Sequence, residues 1–295
     1  MANITRIIGK LDVKGPNTIK GIQLDGFRKL GLAEQFARLY YQEGIDEIII
    51  QDSVASLYRR DSLLDIIKSV AKEVFIPITV AGGIRSLVDI ENLLNAGADK
   101  VAINTAAVAD PTLLKEAASV FGSQNILSSI EVYKTPQDYQ VWTHYGREPT
   151  SLNLNQWLQQ VQEMGVGEIF LTAIKNDGLG TGYDLDLLYQ ANKISNVPVM
   201  LCGGANAVDN AVSAVQGGAD ALVVASKFHY YYALKEREFL SMANYCMRNG
   251  QAIDTGNLDF LIEGYGARKD LFVEPISISE FKNALKKRNV SIREH

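Results

Sequence analysis

The chain repeats itself at a fixed distance, and that repeat limits the folds open to it more than any single motif does. Ile76-Pro77-Ile78-Thr79-Val80-Ala81-Gly82-Gly83 leads to Gly97-Ala98-Asp99, and Val197-Pro198-Val199-Met200-Leu201-Cys202-Gly203-Gly204 leads to Gly218-Ala219-Asp220. Gly82 and Gly203, Gly97 and Gly218, and Asp99 and Asp220 each lie 121 residues apart, as do Glu47 and Glu168. An insertion in either copy would have broken this spacing, so the chain carries two equivalent half-domains.

Short β-rich apolar runs alternate with amphipathic stretches of helical length, the pattern of parallel βα units buried on both faces. Strands are expected near 7–13, 45–52, 76–81, 99–103, 125–132, 167–173, 197–202 and 220–225, with helices near 31–43, 60–73, 87–96, 111–120, 153–164, 184–194, 208–217 and 278–289. Eight such units favour a closed (β/α)8 barrel over an open sheet, and α/β barrels of about 250 residues commonly form one unit. The expectation is one (β/α)8 TIM barrel over 1–295, built from half-barrels of about 1–122 and 123–226. Residues 133–150 read as a β-hairpin after the fifth strand. Residues 230–277, with a helical Lys235–Arg248, read as an insertion before the last helix: a lid or contact surface, or a decorative excursion.

A formal charge of −5 and no clustered Lys/Arg run argue against nucleic acid as a partner. Cys202 and Cys246 cannot make a disulfide framework, the start Met1-Ala2-Asn3 opens no signal peptide, and no apolar run approaches the roughly 20 residues of a membrane span. A soluble cytoplasmic protein is expected. His144, His229 and His295 are too dispersed for a metal site, so neither metal nor cofactor is implied.

In a barrel of this kind chemistry sits where strands run into the following loops. A Gly pair there makes a tight turn as readily as an anion cradle. The cradle is favoured because Gly82-Gly83 is followed one βα unit later by Asn104-Thr105, and Gly203-Gly204 by Ala225-Ser226, with Thr105 and Ser226 again 121 apart. Backbone N–H groups free of a Cβ, backed by a helix N-terminus, suit a phosphate. Two cradles across one mouth suit a ligand with a phosphate at each end. Between them, strand 1 ends at Asp12 and strand 5 at Glu131, a pair able to divide acid and base work if their surroundings separate their pKa values. The alternative is two solvated carboxylates or a salt bridge to Lys20. Asp52 and Asp177 complete an acidic ring as positioning groups, and Cys202 reads as a packing residue.

Leu11-Asp12-Val13-Lys14 with Ile19-Lys20-Gly21, Val80-Ala81-Gly82-Gly83-Ile84-Arg85, Ile103-Asn104-Thr105-Ala106-Ala107, Phe121-Gly122-Ser123-Gln124, Asp177-Gly178 with Gly182-Tyr183-Asp184, and Gly203-Gly204-Ala205 resemble the cyclase subunit of imidazole glycerol phosphate synthase over about 1–229 and again in the last helix. The resemblance implies a cyclase–lyase that adds ammonia to a bis-phosphorylated ribulosyl aminoimidazole. Its products would be imidazole glycerol phosphate and aminoimidazole carboxamide ribotide. It implies Asp12 and Glu131 as acid and base, Lys20 on a mobile loop over the substrate, and Asp177 and Gly178 among the substrate- or phosphate-binding residues. It also implies a glutaminase subunit docked at the opposite, N-terminal face, where Arg6, Glu47, Lys100 and Glu168 match an ammonia gate and Asp99 a partner-facing residue. The bland alternative for those four charges is a structural salt-bridge ring.

The chain departs from that pattern at Glu131, where the family has Asp, at Lys10 in place of Cys, and at Lys175, Leu179 and Tyr145. These departures keep two other functions open. One is a paralogue that partners a sugar amidotransferase in surface-polysaccharide synthesis, with altered or lost cyclase activity. The other is a sugar-phosphate isomerase.

Overall fold

A computed structural model describes residues 4–54, 62–235 and 272–293. The chain runs β1 (Arg6–Lys14), β2 (Asn17–Ile22), β3 (Asp25–Leu32), α1 (Ala33–Gln42), β4 (Glu47–Asp52), α2 (Ser62–Val70), β5 (Ile78–Ala81), α3 (Leu87–Asn95) and β6 (Lys100–Ile103). Then come α4 (Thr105–Ala109), α5 (Thr112–Phe121), β7 (Ile126–Lys134), β8 (Tyr139–Thr143), β9 (Glu148–Asn153), α6 (Leu154–Glu163), β10 (Glu168–Ala173) and α7 (Leu185–Asn192). The described chain ends with β11 (Val199–Cys202), α8 (Val208–Gln216), β12 (Ala221–Val224), α9 (Ser226–Lys235) and α10 (Ile278–Lys286).

β1, β4, β5, β6, β7, β10, β11 and β12 pair in parallel around a ring that closes β12 onto β1 and β7 onto β10. This is the (β/α)8 barrel expected from the alternation. The half-barrel repeat is visible in its register: Asp12 pairs with Gln51 and Glu131 with Thr172, while Thr79 pairs with Lys100 and Met200 with Ala221. Even the joints repeat. Asp99 accepts the Ile78 N–H at 2.8 Å and Asp220 accepts the Val199 N–H at 2.8 Å, which gives the Gly-Ala-Asp motif an anchoring role at the foot of each preceding strand.

Alternation along each strand divides the core in two. Ile8, Ile49, Leu127, Phe170, Met200 and Val223 fill the barrel, whereas Ile7, Ile48, Ile50, Val80 and Leu171 face the helices. The helices start where their side chains can satisfy free N–H groups: Asn153 accepts from Gln156, and Ser277 forms a reciprocal capping box with Glu280. α6 then buries Trp157, Leu158 and Val161, three residues of one apolar face.

Two hairpins rise from the catalytic end. β8 and β9 form the one expected near 133–150, and β2 and β3 form a second between β1 and α1 that the sequence reading did not anticipate. The excursion expected over 230–277 begins differently: Tyr230 and Tyr232 lie in α9 and are buried core residues. The remainder of the expected Lys235–Arg248 helix lies outside the described residues. Among the described residues no helix is long and apolar enough to cross a membrane.

Gly9 shows how tightly strand and helix meet. A Cβ there would fall 2.6 Å from the Tyr40 ring, and Tyr40 in turn bonds His229 Nδ1 through its hydroxyl at 2.5 Å. Gly9→Ala is therefore expected to destabilise the fold by about 1–3 kcal/mol through overpacking, read as a lowered midpoint in urea unfolding with little change in slope.

Candidate active site

Asp12 and Glu131 occupy equivalent positions at the C-terminal ends of β1 and β7, both buried, but their neighbours differ. Lys10 precedes Asp12 by two residues, so it shares the inward face of β1 and brings its ammonium 2.8 Å from one Asp12 oxygen. Lys20, carried over the mouth by the β2–β3 hairpin, lies 3.6 Å from the other oxygen and is gripped by both Asp177 oxygens at 2.6 and 2.9 Å. Burial alone would raise the Asp12 pKa, but Lys10 and Lys20 outweigh it and hold the group below the usual carboxylate range. Both lysines are held above their ordinary values: burial opposes this, but Asp12 dominates at Lys10, and Asp177 then Asp12 at Lys20.

Among the described residues Glu131 meets no cation at contact distance. One oxygen accepts the Gly146 N–H at 2.8 Å and the other the Gln51 amide at 3.3 Å. Burial pushes its pKa up to about 7, against the weaker opposing pull of the Gly146 N–H, Lys10 and Gln51. One carboxyl is thus fixed as an anion and the other is poised to carry a proton near neutral pH. Tyr145, at the turn of the β8–β9 hairpin with φ of 59°, folds inward with Lys10 5.4 Å from its ring centre. Burial pushes the Tyr145 phenol well above its ordinary pKa, which keeps it neutral. It packs with Leu24 and Ile174, so the two hairpins share an apolar roof above the charged cluster.

The duplicated glycines sit at the mouth as expected. A Cβ on Gly82 would lie 2.4 Å from the Asp52 carbonyl oxygen and one on Gly203 would lie 2.6 Å from that of Ala173, positions again 121 apart. Both have φ near +100°, which disfavours any side chain. Gly82, Gly83, Asn104, Thr105 and Glu131 line a cavity of about 390 Å³. The Thr105 hydroxyl accepts the His144 N–H at 3.0 Å and the Asn104 amide donates to the Trp142 carbonyl, tying this cradle to the β8–β9 hairpin. Asp177, Gly178, Gly203, Gly204, Ala225 and Ser226 gather around the second cradle, where only about 20 Å³ is open. Asp52 accepts the Val54 N–H and so shapes its own turn. Burial pushes the Cys202 thiol up to about 12, leaving it a packing residue. Among the described residues no group of three or more His, Cys, Asp or Glu is placed to hold a metal.

At the other end, Arg6, Glu47, Lys100 and Glu168 close an alternating ring: Arg6 to Glu47 at 3.0 Å and Glu168 at 2.8 Å, Lys100 to the same two at 3.3 and 3.1 Å. Asp12 lies six residue steps along β1 from Arg6, roughly 20 Å. Lys10 and Tyr145 entered the sequence reading only as departures from the family pattern and Gln51 not at all; none was among the expected site residues. The i, i+2 spacing of Lys10 and Asp12 on one strand face is the signal that could have found the first.

A model described as "Histidine biosynthesis protein" matches residues 6–233. The chain belongs to the histidine biosynthesis protein family. Within that family, imidazole glycerol phosphate synthase subunit HisF of Legionella pneumophila is 48% identical over 205 residues, 69% of this chain and 96% of that protein. HisF of Thermobifida fusca is 42% identical over 236 residues, covering 78% of this chain and 92% of its own. HisF of Thermococcus onnurineus is 40% identical over 238 residues, covering 80% and 94%. These family members support the cyclase-subunit reading, and none of them points to surface polysaccharide or to a sugar isomerase.

Between pH 4.5 and about 7 the folded chain keeps a proton on Glu131 that the unfolded chain releases, so this group makes stability fall as pH rises through that window. Glu131→Gln, neutral at every pH, is expected to remove that part of the slope; urea midpoints of both proteins at about pH 5 and pH 8 would show it.

Proposed function

We propose that this chain is a working cyclase subunit of imidazole glycerol phosphate synthase. It takes ammonia from a glutaminase subunit and converts the bis-phosphorylated ribulosyl aminoimidazole to imidazole glycerol phosphate and aminoimidazole carboxamide ribotide. The observation that carries the reading is the unequal carboxyl pair, an anionic Asp12 facing a protonatable Glu131, set between two duplicated glycine cradles. The cradles take the two phosphates. Ammonia adds at the ketone carbon, Asp12 accepts the proton the new C–N bond releases, and Glu131 donates one to the departing oxygen. Lys20, bound to Asp177, holds the β2–β3 hairpin down and keeps water out during ring closure and cleavage.

The glutaminase docks on the N-terminal face of the barrel, and the ring of Arg6, Glu47, Lys100 and Glu168 is the ammonia entrance. Ammonia then travels inside the barrel toward Asp12. The ring's position on the barrel axis, opposite the carboxyl pair, is what supports this route.

The purified chain, given ammonium salt and the bis-phosphate substrate, is expected to make imidazole glycerol phosphate; a folded protein without turnover would refute the proposal. Asp12→Asn and Glu131→Gln should each lower kcat by roughly 10²- to 10⁴-fold. Glu131→Asp tests the extra methylene: rescue of a histidine auxotroph by the natural chain shows that Glu serves, whereas rescue by the Asp variant alone makes position 131 the functional switch. Arg6→Ala is expected to depress glutamine-dependent turnover in the complex while ammonium-dependent turnover persists, measured side by side.

A further inference from the structure

The two cradles are equivalent in backbone but not in charge. Arg85 lines the first, and its counterpart 121 residues on is Asn206; Ala106 lines the first, and its counterpart is Lys227. Each cradle thus has one cationic side chain nearby, placed on the first loop in one half and on the first turn of the following helix in the other.

Lys227 is an unusual cation. Among the described residues the buried lysines Lys10, Lys20 and Lys282 each have a carboxylate oxygen within 4 Å, whereas Lys227, a residue 3% exposed, donates to the Glu274 backbone carbonyl at 2.6 Å and feels the Glu274 carboxylate only from beyond contact distance. An ammonium desolvated without a carboxylate in contact is costly to keep, and burial pulls its pKa below the ordinary lysine value against the weaker, more distant pull of the Glu274 carboxylate. The Glu274 peptide occupies both polar groups of this corner: its N–H donates to Asn206 Oδ1 at 3.3 Å while its carbonyl takes Lys227. The preceding residues press onto the cradle itself. Phe272 donates to the Leu179 carbonyl at 2.8 Å, Val273 lines the remaining space, and a Cβ on Gly180 would lie 2.6 Å from Val273 N.

We infer that Lys227 is the cationic ligand of the second phosphate site, held by the Glu274 carbonyl until a phosphoryl group enters the Gly203–Gly204 cradle and takes its place. The inference rests on the two-phosphate reading above and adds to it a residue and an order of events. Entry of the phosphate releases the Glu274 peptide, backs residues 272–274 away from Gly180, and gives the buried ammonium an anion in direct contact. The second site therefore opens only for a group charged enough to draw Lys227 off the carbonyl, and it discriminates against a neutral hydroxyl at that end of the ligand.

Crystals of the full chain soaked in inorganic phosphate test this directly. An anion is expected in both cradles, with Lys227 turned onto the second one. In Lys227→Met the second cradle should be empty while the Gly82–Gly83 cradle stays filled. In ammonium-dependent turnover, Lys227→Met is expected to raise KM for the bis-phosphate substrate roughly 10- to 100-fold with kcat largely kept, and Lys227→Arg to recover most of the loss. An anion confined to the first cradle of the unaltered protein, one in the second cradle with Lys227 still on Glu274, equal occupancy in Lys227→Met, or an unchanged KM overturns the assignment. Empty cradles throughout would overturn the two-phosphate reading as well.

Discussion

Closure of the parallel ring is the constraint on which the rest depends. Once β12 pairs with β1 and β7 with β10, each barrel strand must send alternate residues into a space only a few side chains wide. That is why Arg6, Ile8, Lys10 and Asp12 stack along one line from base to mouth, and why a charged ring, an apolar plug and a charged cluster follow one another up the axis. An open sheet would leave the same residues on a face, with no reason for Glu47 to meet both Arg6 and Lys100.

The mouth is built against stability. Lys10, Asp12, Lys20 and Asp177 are all buried, and desolvating each charge costs several kcal/mol that pairing only partly offsets. A packed apolar cluster would hold this end of the barrel as well or better. The four charges instead fix the protonation state of Asp12 and leave Glu131, four barrel strands away, without a cation in contact among the described residues. The duplication supplied two equivalent acids, and their neighbours made them unlike.

Much of this was legible in the sequence because it depends on period and spacing. The eight barrel strands, most helices and the paired glycines follow from alternation and the 121-residue offset, and the two carboxyls from matching strand ends 119 residues apart. What stayed hidden depends on turns with unusual residues and on long-range packing. The β2–β3 hairpin turns at Gln23 and Leu24, both at positive φ, so the Asp25-Gly26 pair beside it falls outside the two central positions where a hairpin signal is read. Tyr145 reaches Lys10 only because the β8–β9 turn folds back over the mouth. Tyr230 and Tyr232 read as the start of an excursion, yet both are buried, Tyr232 against Tyr40 and the start of α10, contacts between residues far apart in the chain.

His229 is wholly buried, bonded to the Tyr40 hydroxyl, and burial pushes its pKa down to about 3. Imidazole is ordinarily the group that changes charge between pH 5 and 8. Here the ring beneath the mouth stays neutral across that whole range and serves as a strut between α1 and α9, while a glutamate titrates where a histidine normally would. A fall in pH through about 7 therefore adds a proton to Glu131 and leaves His229, the imidazole packed between two helices, uncharged.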